Sequence, residues 1–165
     1  MNDVLLIIGS APCRLEDIKG FKSLYKKAHD VCCINETGLW YRGPFKYWVS
    51  AHADKLLEWA KVKPNAGAEL WSYRQRAGIN HAHVRWDGGS SSFVAVQFAL
   101  FAWEYRRIVV AGCPLTGENE CGRYDRFLPA WNNLVPDYQH RVRSMSGNTA
   151  QVIGKPDKEF FNGQE

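Results

Sequence analysis

The chain opens with an unbroken apolar run, Val4–Ile8, closed by Gly9, and further short runs of the same kind recur at 31–34, Tyr47–Val49 and 108–111. Such runs lack the polar-apolar alternation of a half-exposed strand and read as strands buried on both faces. Between them lie segments with helical spacing. Ile18, Phe21, Leu24 and Tyr25 predict a helix over 17–27, and Leu56, Leu57 and Trp59 predict one opened by Asp54 as N-cap and closed before Pro64. Residues 69–73 and 83–86 read as further short strands, and 142–145 as a last one. A helix is expected over 126–134, and Ser146-Gly147-Asn148-Thr149 opens a short one that ends before Lys155-Pro156. Gly88-Gly89-Ser90-Ser91-Ser92 leads into 93–105, which is apolar almost all round and so predicts a helix buried inside the fold. Strands alternating with helices imply an α/β protein: a three-layer Rossmann-like fold with a mainly parallel sheet. The polar segment 116–125 is expected to be a mobile loop over the site.

With 165 residues, 45% hydrophobic and 23% charged, and with no repeat or linker, the chain is expected to form a single nucleotide-binding-like α/β domain over 1–165. The formal net charge of +4 suits an anionic ligand, but the positive residues are scattered, which argues against a nucleic-acid partner. No apolar stretch approaches the ~18 residues a membrane span needs, and the first apolar run is too short for a signal-peptide core. The expectation is a cytoplasmic protein without a membrane partner, its oligomeric state left open. The five cysteines are irregularly spaced, and the pair Cys32-Cys33 sits in an apolar run as small hydrophobes. No Cys-x-x-Cys pair occurs, which argues against a zinc site. His81 and His83 alternate as surface residues do.

In an open α/β sheet, ligands sit outside the carboxyl ends of the strands. That rule selects Gly9, Ser10, Ala11 and Pro12; Asn35 and Glu36; His52 and Asp54; Cys113 in Gly112-Cys113-Pro114; and Ser90, Ser91 and Ser92 as a helix start. The small residues 9–12 would let a backbone approach a phosphate, and equally suit a tight turn without ligand. The segment is neither a dinucleotide fingerprint nor a Walker loop. Ser90–Ser92 could donate to an anion or simply cap the helix. His52 with Asp54 is a candidate general base with its orienter, or a packed residue beside a cap. Asn35 can read a base or sugar, or serve as a turn residue. Cys13 at a helix start could carry a lowered pKa, or be a packed thiol. Arg141 and Arg143 flank Val142, so both are expected on one face, clamping a phosphate or facing solvent. Residues 9–12, Asn35, His52 and 90–92 are expected to line one cleft.

Trp48-Val49-Ser50-Ala51-His52, Gly89-Ser90-Ser91, Gly112-Cys113-Pro114 and Arg143-Ser144-Met145-Ser146-Gly147 together resemble a family of phage and prophage proteins to which no activity is attached. The order of Gly9–Pro12, Asn35 and the serine-rich helix start is similar to that of bacterial CMP-sialic-acid-dependent sialyltransferases and the archaeal 6-hydroxymethylpterin pyrophosphokinase family. This second resemblance implies that Gly9–Pro12, Asn35 and Ser90–Ser92 surround a nucleotide or nucleotide sugar of the CMP type. Ala11 stands where that pattern has a second glycine and Cys13 where it has serine; a counterpart of the late catalytic histidine is not found. Two functions follow as expectations. One is a nucleotide- or nucleotide-sugar-binding protein of the glycosyltransferase-like kind, with His52 as base. The other is a non-catalytic interaction or regulatory module on the same scaffold.

Overall fold

The computed structural model describes residues 2–64, 67–82, 84, 90–119 and 122–162. In chain order these form β1 (Val4–Ile8), α1 (Arg14–Leu24), β2 (Asp30–Ile34), α2 (Thr37–Trp40), β3 (Tyr47–Val49), α3 (Ala53–Val62), β4 (Glu69–Ser72), β5 (Asn80–His81), α4 (Ser91–Phe101), β6 (Arg107–Ala111), β7 (Glu118–Asn119), β8 (Gly122–Arg123), α5 (Leu128–Tyr138), β9 (Val142–Ser144), α6 (Gly147–Ile153) and α7 (Lys158–Asn162). Seven strands make one all-parallel sheet in the order β5-β4-β3-β2-β1-β6-β9. The fold is the three-layer, Rossmann-like α/β architecture that the alternation of strands and helices predicts.

The reason β1 is apolar throughout is its place at the centre. Leu5 and Ile7 point to one face, packed with α4 and with Trp131 of α5; Val4, Leu6 and Ile8 point to the other, packed with Phe21 of α1, Leu56 of α3 and Phe160 of α7. Cys32 and Cys33 alternate in the same way, one in each core, and burial pushes both thiols up. Every α4 residue from Ser91 to Leu100 is buried, as its all-round apolarity requires. The helix stops at Phe101, short of the expected 105. Glu104 turns the backbone left-handed (φ 56°), and Trp103 folds back to stack on Tyr47 with ring centroids 3.7 Å apart. The apolar pattern thus continues past the helix because these aromatics still belong to the core.

Other boundaries shift for local reasons. Helix α1 begins and ends three residues earlier than expected, because extended Tyr25 already leads the chain toward β2. Asp54 sits one residue inside α3, and His52 takes the N-cap position. Asn80–His81 form β5, the edge strand of the described sheet, and of the expected strand 83–86 residues 83, 85 and 86 lie outside the described residues. Instead of a plain loop, 116–125 carries an antiparallel ribbon in which Glu118 pairs with Arg123 and Asn119 with Gly122. No helix among the described residues is long and apolar enough to cross a membrane.

The amino end of the sheet is closed by a polar cluster. Asp30, first in β2, accepts hydrogen bonds from Asn2 Nδ2 (2.7 Å), Lys46 Nζ (3.3 Å) and the Tyr105 hydroxyl. Burial alone would raise its carboxyl, but these three donors hold it below the usual carboxylate range.

Candidate functional site

The chain runs outward from β1 through β2, β3, β4 and β5, and α4 then carries it back across the sheet to β6 on the far side of β1. The turns after β1 and β6 therefore leave in opposite directions, the switch point at which open α/β sheets bind ligands. Here the two turns are locked onto each other. Gly9 N–H donates to Ala111 O (2.8 Å) and Ala11 N–H to Gly112 O (3.1 Å). A Cβ on Gly9 would lie 2.2 Å from Cys113 Sγ and 2.5 Å from Gly112 O. Gly112 has φ +64°, and a Cβ there would lie 2.7 Å from Gly9 O. These glycines exist so that two backbones can cross. Of the two readings of residues 9–12, these bonds support the tight turn, because few N–H groups remain for a phosphate. The amides of Gly9 and Ala11 are spent and Pro12 has none. Among the described residues, only the exposed Ser10 keeps an N–H in this turn without a partner before Cys13.

A residue outside the candidates that the sequence offers holds this crossing together. Asp17, buried on α1, takes the Gly112 N–H (2.8 Å), the Ser146 hydroxyl (2.7 Å) and the Cys13 thiol (3.6 Å) on a single oxygen, Oδ2. Thr149 Oγ1 donates to Cys113 O (2.7 Å) and Asn148 Nδ2 to Leu115 O (2.9 Å), so α6 braces the turn after β6 from the other side. The signal for Asp17 was its spacing: it precedes Phe21 and Leu24 by four and seven residues, which puts it on the helix's inner face. Cys13 does not gain acidity from its position. Burial raises its pKa, Asp17 raises it further, and the Ser146 hydrogen bond does not offset them. Burial likewise pushes the Cys113 thiol up to about 12. Its Sγ donates to Ala111 O (3.6 Å), so it is engaged with the crossing itself.

The ends of β2 and β3 meet the start of α4 beside this crossing. Asn35 adopts a left-handed turn (φ 51°), with its N–H on Val49 O (2.9 Å) and its carbonyl accepting from Trp48 Nε1 (2.6 Å). The Ser50 hydroxyl donates to Asn35 Oδ1 (2.8 Å) and accepts from His52 N–H (3.0 Å). Ala51 N–H donates to Ser91 Oγ (3.1 Å), which fastens this turn to α4. Ser90 and Ser92 hydroxyls bond each other at 2.5 Å, and Ser92 also reaches Cys113. The serines therefore do not cap their helix. The first main-chain bond of α4 runs from Val94 N–H to Ser90 O (3.1 Å), and the N–H groups of Ser91, Ser92 and Phe93 have no partner among the described residues. Gly88 and Gly89 lie outside the described residues.

The remaining candidates divide. His52 is exposed at the start of α3, on the same sheet end, and its ring bonds to nothing among the described residues. Glu36 stands beside Asn35 with a half-exposed carboxylate that is likewise unpaired. Thr37, next in line, buries a hydroxyl without a partner among the described residues. Asp54 does not orient His52: its carboxylate pairs with Arg76 (2.8 Å). Arg143 does not reach this end of the sheet. Strand alternation turns it toward α7, where its guanidinium lies 5.0 Å from the Phe160 ring and donates to Val142 O (2.8 Å). Arg107, the first residue of β6, donates to Phe160 O (2.7 Å), which marks that ring as lying toward the amino end. Arg141 donates to Tyr105 O. The structure thus brings Ser10, Asn35, Glu36, His52 and Ser90–Ser92 to the carboxyl end, keeps Gly9, Ala11 and Cys113 as its framework, and leaves Arg143 and the His52–Asp54 pair out. Among known proteins, the chain matches no family model, no curated protein and no solved structure.

Proposed function

We propose that the protein binds a phosphorylated small molecule, a nucleotide or nucleotide sugar, at the carboxyl end of its sheet. The observation that carries this is the start of α4: three N–H donors without partners among the described residues, on a buried helix whose neighbouring hydroxyls are bonded elsewhere, beside the topological switch point. Such a terminus favours an anion through both its free donors and the helix dipole. Asn35, Glu36 and His52 surround it with groups suited to a sugar or base. The proposal is one of binding. A transferase step would need an oriented base, and Asp54 is committed to Arg76. That observation favours, as the second reading, a ligand-sensing module without turnover.

Ser90→Asp tests the proposal. A carboxylate at the N-cap would satisfy the free N–H groups itself, raising stability by about 0.5–1 kcal/mol. It would also occupy the phosphate position, so nucleotide affinity should fall at least about tenfold. Calorimetric titration with CMP, CDP, UDP, GDP and ATP, together with melting curves, reads both effects. A variant that binds as tightly as the parent, or a parent that binds none of these, would overturn the proposal.

A further inference from the structure

We propose that Ser50 is a positioning residue that fixes the polarity of Asn35, so that the site reads a hydrogen-bond acceptor on the nucleoside part of its ligand. The inference rests on the nucleotide proposal above. Ser50 is fully buried, and its Oγ already accepts from His52 N–H (3.0 Å). Its own proton is directed to the Asn35 side chain at 2.8 Å. The atom facing a donated proton must be the amide oxygen, so Nδ2 is turned away from β3. The opposite orientation would make Ser50 accept twice and bury its proton without an acceptor.

The rest of Asn35 is equally immobile. Its N–H is held by Val49 O and its carbonyl by Trp48 Nε1, in a left-handed conformation that asparagine tolerates. What remains is one NH2 group, with no acceptor among the described residues, presented in a fixed direction. A preorganised donor of this kind loses no rotamer freedom when a ligand arrives. The adjoining residue, Ala51, donates to Ser91 at the start of α4, so Asn35 stands next to the phosphate position rather than in it. The ligand group that reaches it is therefore attached to the phosphate. A sugar hydroxyl can offer either polarity, whereas a base offers acceptors at its carbonyls and unprotonated ring nitrogens and donors at its amino and ring N–H groups, so a fixed donor discriminates among base edges.

The experiment titrates the parent, Ser50→Ala and Asn35→Asp with CMP, UMP, AMP and GMP, and with inorganic pyrophosphate. Asn35→Asp keeps an acceptor toward Ser50 and replaces the outward donor by a carboxylate oxygen. The tightest-bound nucleotide should weaken at least about tenfold in Asn35→Asp and about three- to tenfold in Ser50→Ala, whereas pyrophosphate binding to Ser50→Ala should be unchanged. Where Ser50→Ala does not fold, Asn35→Asp decides alone. If a nucleotide binds all three proteins equally, or if Ser50→Ala loses nucleotide and pyrophosphate alike, the assignment of Asn35 is overturned and the nucleotide proposal stands. If the parent binds none of the five probes, the nucleotide proposal fails and this inference fails with it.

Discussion

At the amino end of the parallel sheet, Asp30, Asn2, Lys46 and Tyr105 satisfy one another, with the carboxylate at the centre of three donors. At the carboxyl end, Asp17 closes the crossing of two turns in the same manner, yet the adjoining ends of β2, β3 and α4 retain surplus donors. Polar groups at a sheet end normally find partners in the fold or in water. One end therefore behaves as a structural clasp, while the other spends part of its hydrogen bonding on holding donors in place without consuming them. The difference is what supports the proposed binding site, without any appeal to a catalytic motif. It also separates residues whose loss should unfold the protein from residues whose loss should only blunt recognition.

The largest effect is expected at the crossing. Gly9→Ala forces a Cβ against Cys113 Sγ at 2.2 Å and Gly112 O at 2.5 Å, and should cost about 3 kcal/mol in urea denaturation. A cost under about 1 kcal/mol would mean that the two turns are free to part. Next comes the clasp. Asp30→Ala removes the carboxylate that Lys46 and the Tyr105 hydroxyl bond most closely, leaving each only a 3.5 Å contact, and should cost about 2 kcal/mol, with no change in ligand affinity. Because the folded Asp30 carboxyl lies below its unfolded value, its contribution is present above about pH 4 and is lost as pH falls through the folded value. The stability gap between the parent and Asp30→Asn should accordingly narrow below pH 4 in denaturation midpoints, and a gap constant with pH would contradict the assignment.

Smaller effects sharpen the carboxyl end. Ser91→Ala removes the acceptor of a buried Ala51 N–H and should cost about 1 kcal/mol, so a hydroxyl that looked free for a ligand proves to be partly structural. His52→Ala should leave the unfolding midpoint within about 0.5 kcal/mol of the parent, since the exposed ring bonds to nothing among the described residues. A larger loss would place His52 in the framework.

Strands β1, β2, β3 and β6 were legible because each is a run of apolar residues buried on both faces and stopped by a small or polar residue. Four-residue α2 and five-residue α7 are too short to display a helical period, and β5 is a two-residue edge strand with the polar sequence Asn80-His81. For the site, the rule of the carboxyl edge placed Asn35, His52 and Ser90–Ser92 at one end from sequence alone. It could not say whether a given donor is already spent, because the partner of Ala11 N–H lies about a hundred residues away at Gly112. Nor could it foresee that the face onto which Arg143 alternates would be covered by Phe160. For Asp17 the spacing to Phe21 and Leu24 marks an inner-face position, but the turn it anchors lies 95 residues away at Gly112.

The most direct measurement is a backbone-amide NMR titration of the parent with CMP and with inorganic pyrophosphate. A ligand site at the carboxyl end predicts saturable shifts centred on Ser91, Ser92 and Phe93, extending to the Asn35 side-chain amide with CMP alone, while Asp30, Lys46 and Tyr105 stay still. Shifts centred on the amino end, or none at either end at millimolar ligand, would contradict it.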